Sequence, residues 1–292
     1  MIARNLAAAL CAAAALAAPA RAQDWRTLTA QRGIAHEDAL HVLVRYGAGK
    51  LTLRAADPAV LYDLNARFDA DVSRFERRYD AATRTLTVGV DSATVDRVTH
   101  RPRFMNSTQH RETTPGYFTL GLARGIPIDL TAYLAMGDAE FQLGDLWISK
   151  LTVTTALSDA AIDFTTPNLQ AMDELLIDAS IGALTVHRLG NARAKKVRLL
   201  IGIGGGEIDL RGAWTGEMVL DASVTVGGLE LRVPRDAGVK VNATTTLADL
   251  EATGFVKRDG VYYSPNYETA ARKVTVDARA KLAGVEVSWI EP

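Results

Sequence analysis

Three sets of residues in this chain are of types that could do chemistry, and spacing decides what each can be. Gly202-Ile203-Gly204-Gly205-Gly206-Glu207 has the glycine density of a loop that cradles a pyrophosphate. A dinucleotide fingerprint needs a glycine where Glu207 stands, and then a helix whose N-terminus meets the phosphates. Here an alternating apolar strand follows, so the run reads as a turn. The histidines are His36, His41, His100, His110 and His187. They are scattered, none in a His-x-x-x-His pair, and the one cysteine is Cys11, so no donor set of zinc-ligand spacing exists. His187 falls where other copies of a repeat carry Arg54, Gln142, Arg211 and Arg232, a surface strand position. The nucleophile motif G-x-S-x-G is absent.

Carboxylates are the remaining chemistry, with 34 Asp and Glu in the chain. Paired acids on a β-helix would suit polysaccharide cleavage. Instead, the acids recur at one repeat position: Glu140, Asp163, Asp209, Glu230, Glu251 and Glu286. The stretch Asp209, Glu230, Glu251 and Glu286 is a candidate stripe for weak divalent-cation binding, since carboxylate oxygens suit calcium. It would equally meet a cationic envelope partner, and Arg211 and Arg232 stand nearby to relieve it as an ordinary solvated face. The expectation is a non-enzymatic protein with no cofactor.

The elements that position these residues come from self-similarity. Aligning the chain on Leu51, Ala139, Ile162, Leu184, Ile208, Leu229, Leu250 and Val285 gives eight copies of one unit. Two residues later every copy is apolar, from Leu53 and Phe141 to Val287, and the residue between is polar. Two residues before the anchor stands Gly or Ala: Gly49, Gly137, Ala160, Gly182, Gly206, Gly227, Ala248 and Ala283. Nine before it stands Val or Leu: Val42, Leu130, Val153, Leu175, Leu199, Leu220, Val241 and Val276. Each unit is thus an alternating strand, a small-residue turn and a second alternating strand.

The fold class expected is all-β: a repeat stack, best read as a parallel β-helix-like solenoid with an N-terminal β subregion. An antiparallel meander or sandwich fits the same period. Equal inside residues lying over one another favour the parallel stack. Leu199, Ile201, Ile208 and Leu210 should be buried together in one unit. Residues 23–125 are assigned to the N-terminal subregion with the first repeat, and 126–292 to the repeat domain. Two long intervals mark insertions: one holds a polar loop at His100 to Pro115, the other a hairpin or loop from Gly254 to Tyr267 leaving the stack.

The compartment is read from the first residues. Arg4 precedes an apolar run from Leu6 to Ala18, too short to span a bilayer, and Ala20 and Ala22 form an A-x-A cleavage site. The expectation is a signal peptide over residues 1–22, cleaved before Gln23, and a periplasmic or secreted protein. Cys11 leaves with the leader, so no disulfide forms. The formal charge of −1 and the broken basic runs at Arg74 to Arg78 and Arg193 to Arg198 exclude the basic stripe of a nucleic-acid binder. No second long apolar stretch supplies a membrane span.

Val42 to Asp57, with Gly47-Ala48-Gly49-Lys50-Leu51-Thr52-Leu53, resembles the Gly-Ala-Gly-x-Leu-x-Leu repeat of the toast-rack, adhesin-like proteins of bacterial envelopes. That family shares its β repeats with the C-terminal domain of cell wall-active antibiotic response proteins. Gly125 to Leu130, Gly190-Asn191-Ala192, Val233 to Val239 and Gly254-Phe255 with Tyr262-Tyr263 match in order over nearly the whole chain after the leader. Ser158-Asp159-Ala160 and Leu247-Ala248-Asp249 depart from the paired glycines. The resemblance implies a single-chain β-helix-like stack with no established enzymatic activity. An envelope binding or adhesin-like module with an unknown envelope or protein partner is expected first; a self-assembling structural stack and a polysaccharide-active enzyme follow.

Overall fold

A computed structural model describes residues 24–92, 116–247 and 249–291. The expected leader, the polar loop with His100 and His110, and Ala248 lie outside them. The strands run in chain order as β1 (Trp25–Gly33), β2 (Leu40–Ala55), β3 (Val60–Asp69), β4 (Ser73–Asp80), β5 (Thr85–Ser92) and β6 (Tyr117–Leu122). Then come β7 (Pro127–Gln142), β8 (Trp147–Asp163), β9 (Glu174–Ile181), β10 (Leu184–His187), β11 (Lys196–Asp209) and β12 (Gly216–Pro234). The last are β13 (Gly238–Thr245), β14 (Leu250–Ala252), β15 (Val256–Arg258), β16 (Val261–Tyr263) and β17 (Arg272–Ile290).

Each long strand is a whole rung: a first arm, a corner, and a second arm. β2, β7, β8, β11, β12 and β17 bend at the corner, and β9 with β10 make one rung broken there. All pairings among these rungs are parallel. Antiparallel pairing is confined to the ends, in β1–β3, β3–β6 and β4–β5 at one and β13–β16 and β15–β16 at the other. The parallel solenoid is therefore the architecture, and the antiparallel reading falls.

Alternation explains the core. In β11, Leu199 and Ile201 of the first arm and Ile208 of the second, with Leu210 just beyond it, are all buried, so the expected foursome meets inside. Neighbouring rungs place like on like: Leu130 lies beside Leu151, Leu151 beside Leu175, Leu175 beside Val197, and Val197 beside Leu220. One continuous apolar column results, and its burial drives the fold at roughly 25 cal/mol per Å². Loops close the third side with buried Phe164, Leu189 and Trp214. There the buried amide of Asn168 donates to the Ile148 carbonyl at 2.7 Å and accepts from the Ile148 N–H at 3.0 Å, so a loop side chain satisfies the backbone at the start of β8.

The expected register is corrected in two rungs. Ala139 pairs with Ala160, not Ile162, and Leu184 pairs with Gly206, not Ile208. Both rungs are displaced by two residues, so their first arms shift too: Leu130 faces Leu151 rather than Val153, and Leu175 faces Val197 rather than Leu199. A shift of two keeps every side chain on its own face, so inside-outside alternation cannot detect it.

The ends are built alike. β2 lies between β7 and the split rung β5 with β6, while β17 lies between β12 and the split rung β13 with β14. The hairpin near Tyr262 does not leave the stack, because β16 pairs with β13 and covers its edge. Outermost strands carry charge, with Arg74, Glu76, Arg77 and Arg78 in β4 and Lys257 and Arg258 in β15, which discourages pairing with another chain.

Candidate functional site

The corner of the stack is where the fold departs from simple alternation. Gly49, Gly137, Gly182, Gly204 and Gly227 all have positive φ there. A Cβ on Gly204 would lie 1.9 Å from the Gly182 carbonyl oxygen, and one on Gly227 would lie 1.8 Å from that of Gly204. Where the corner residue has positive φ, the turn rests on a neighbouring carbonyl and only glycine fits both the angle and the space, whereas β8 and β17 carry Ser158 and Ala283 at the same place without a positive φ. Gly204 takes the place expected for Gly206, and Ser158 that expected for Ala160.

Because the chain swings outward at this turn, the apolar residue just before it is expelled from the core. Met136, Leu157, Ile181, Ile203, Val226 and Leu282 are each between 37% and 55% exposed. They are in register: Met136 beside Leu157, Leu157 beside Ile181, Ile181 beside Ile203, Ile203 beside Val226, Val226 beside Leu282. Six stacked side chains make an apolar ridge about 24 Å long at the rung spacing of about 4.8 Å. Leu247, three residues before Leu250 as Leu282 is before Val285, extends it and is 85% exposed.

Beside the ridge runs a groove. One section has a volume of ≈ 550 Å³ and is lined by Gly205, Glu207, Glu230, Glu251 and Glu286 among others. A second, of ≈ 330 Å³, shares Ala183 and Thr185 with it and continues past Asp159 to Asp138 and Glu140. The expected stripe is brought together here in part. Glu230 pairs in register with Glu286, and Glu286 with Glu251. Asp209 is not among them: its place is taken by Glu207, which pairs with Glu230, while Asp209 lies beside Arg232. The two-residue register shift of β11 is the reason.

Electrostatics separate these acids. Asp209 is buried, which would raise its pKa, but the Arg211 guanidinium at 2.7 Å and the Arg211 N–H at 2.8 Å hold it below the usual carboxylate value. It is a structural ion pair. Arg232 reaches Glu207 at 2.5 Å and Glu230 at 2.7 Å. Among the described residues Glu286 and Glu251 have no ion pair, and Glu251 accepts only from the Thr253 hydroxyl at 3.3 Å. No group of three or more His, Cys, Asp or Glu side chains among the described residues is arranged to hold a metal ion. His187 lies half-buried beside Asp163, and His41 stands 3.5 Å from Asp129.

The ridge went unread in the sequence because alternation assigns Ile203 and Met136 to the inside. The signal that could have found it is an apolar residue directly before each small corner residue, whether glycine, Ser158 or Ala283, visible only with β8 and β11 in their true register.

No family model matches the chain, and no curated protein matches it. Among solved structures it is similar to a provisionally assigned cell adhesion protein of Clostridium sporogenes, at 13% identity and a TM-score of 0.44, covering 91% of this chain and 100% of that one. It is similar to a provisionally assigned adhesin of Parabacteroides merdae at 11% identity and a TM-score of 0.35, covering 90% and 96%. A provisionally assigned lipid binding protein of Parabacteroides distasonis follows at 9% identity and a TM-score of 0.23, covering 91% and 98%.

Proposed function

We propose that this protein is a non-enzymatic binding module of the bacterial envelope, exported by a leader cleaved after Ala22, and that its corner ridge holds the partner. The observation that carries this is the in-register row from Met136 to Leu282 standing in solvent. A contiguous exposed apolar surface costs solubility and marks an interaction site, whereas isolated exposed aliphatics need no explanation. Growth by end-to-end pairing is opposed by the charged outermost strands, so association is directed to the corner instead. Among the described residues no helix is long and apolar enough to cross a membrane.

The test is binding of the purified protein to isolated envelope fractions on a solid phase. Ile203→Ser with Leu282→Ser should abolish retention. Leu169→Ser, which removes an equally exposed apolar side chain from the loop side, should leave it intact. Equal retention of the ridge variant and the parent overturns the proposal.

A further inference from the structure

Resting on the reading of the corner as a binding surface, we infer that its occupant is a cationic amphipathic helix lying along the stack axis. Charge comes first. One flank of the ridge is the groove with Glu207, Glu230, Glu286 and Glu251, joined by Asp138 and Asp159 further along. The basic side chain that lines it is Lys50, 3.1 Å from Glu140, and Arg232 reaches in to Glu207 and Glu230, which leaves Glu251, Glu286 and Asp138 without an ion pair among the described residues. On the opposite shoulder the residues before the ridge are small or neutral, from Ala135 and Ala156 to Thr225, until Lys281. An anionic lipid surface or an acidic segment meets uncompensated carboxylates on approach; a segment carrying Lys or Arg beside its apolar side chains meets complementary charge.

Shape comes second. The groove floor includes Gly205 and Gly284, where a Cβ would meet nothing within 4 Å, so a partner can approach the backbone closely. Pitch comes third. Rungs repeat every 4.8 Å or so, and an α-helix lying along the axis presents one face every turn of about 5.4 Å. It drifts by only about 0.6 Å per rung. An extended strand repeats a face every 6.8 Å or so and slips by about 2 Å per rung. Over the ridge a helix keeps apolar side chains on the aliphatic row and its basic ones over the glutamates; a strand does not.

The experiment uses fluorescence anisotropy with the purified protein and labelled peptides of about 18 residues, five turns of helix. The probes are a Leu/Lys peptide patterned at the helical period, the same composition in strict alternation, and a Leu/Glu peptide at the helical period. The helical Leu/Lys peptide should bind at least tenfold more tightly than either control, which is about 1.4 kcal/mol, and weaken as salt rises. Glu230→Gln with Glu286→Gln, and separately Ile203→Ser with Leu282→Ser, should each weaken it by about tenfold. All four positions have exposed or half-exposed side chains, and circular dichroism verifies the fold of each variant.

Equal binding of the Leu/Glu or the alternating peptide overturns the inference. So does sedimentation with phosphatidylglycerol vesicles, or a dimer in ultracentrifugation, that disappears in the ridge variant. A peptide affinity that falls only in the ridge variant overturns the charged occupant and leaves the corner as the binding surface. Peptide binding indifferent to both variants, with envelope retention still lost in the ridge variant, overturns this inference alone.

Discussion

Ile203 lies opposite Val226 on the next rung, and both side chains stand in solvent, 52% and 37% exposed. Two residues earlier Ile201 is 3% exposed. The same residue type thus lies on opposite sides of the sheet surface within one strand, because Gly204 turns the chain between the arms.

Ile203→Thr with Val226→Thr should therefore lower the midpoint of urea unfolding only slightly, by about 1 kcal/mol or less, since threonine keeps the strand preference and both side chains are already partly in solvent. Ile201→Thr should cost about 2 kcal/mol or more by placing a hydroxyl in the core. Equal losses at the two sites would place Ile203 inside.

The corner column should be far less tolerant than its neighbour. Gly227→Ala forces a Cβ to 1.8 Å from a backbone oxygen at a φ of 131°, whereas Gly205→Ala enters open space. The first should cost about 2 kcal/mol or more, and the second should be close to neutral or slightly stabilising. Paired melting curves decide this.

Leu210→Asp should remove most of the stability. Leu210 is fully buried just beyond the end of β11, and an unpaired carboxylate there costs several kcal/mol. An unchanged denaturant midpoint would invert the assignment of inside and outside.

Acid should loosen the N-terminal end through Glu37. Burial alone would raise its pKa, but the N–H groups of Ala35 and His36 and the Tyr79 hydroxyl donate to it, and its pKa falls from 4.5 to about 2. The unfolded chain then binds the proton more readily than the folded one, so the contribution is complete above 4.5 and is lost as pH falls from there through about 2. Glu37→Gln should lower stability at neutral pH by about 1 kcal/mol and flatten the stability profile across that acid window. A profile as steep as the parent's would assign the acid response to other carboxylates.

Glu286 stands between Glu230 and Glu251 with about 4.8 Å to each neighbouring strand. Glu286→Gln should raise the melting temperature slightly at low salt, with the gain vanishing at high salt as screening takes over. A gain that persists at high salt would mean packing rather than repulsion.

The unit itself and its inside and outside were legible because alternation with period two repeats at every copy; that period fits parallel and antiparallel stacking alike, and the parallel one was favoured only because equal inside residues would then lie over one another. Val42 beside Leu130 is as the pattern predicts. The register of β8 and β11 was not legible, since sliding by two residues preserves every face; this replaced Glu207 by Asp209 in the acid stripe. Nor was the ridge, because period two continues on paper through a corner where the backbone does not. The placing of β17 was hidden for a different reason: similarity between units carries no information about which copies are neighbours when the chain doubles back.

That doubling back governs the order in which the molecule can be completed. β17 follows β13 in the chain yet separates it from β12 in space, so β12 has no final neighbour until the closing strand has been made. A chain emerging N-terminus first, at about 5–20 residues per second, leaves that edge waiting for several seconds while residues 235–290 appear. During this interval a nascent copy offers the edge of β12 to another, and a chaperone has something to shield.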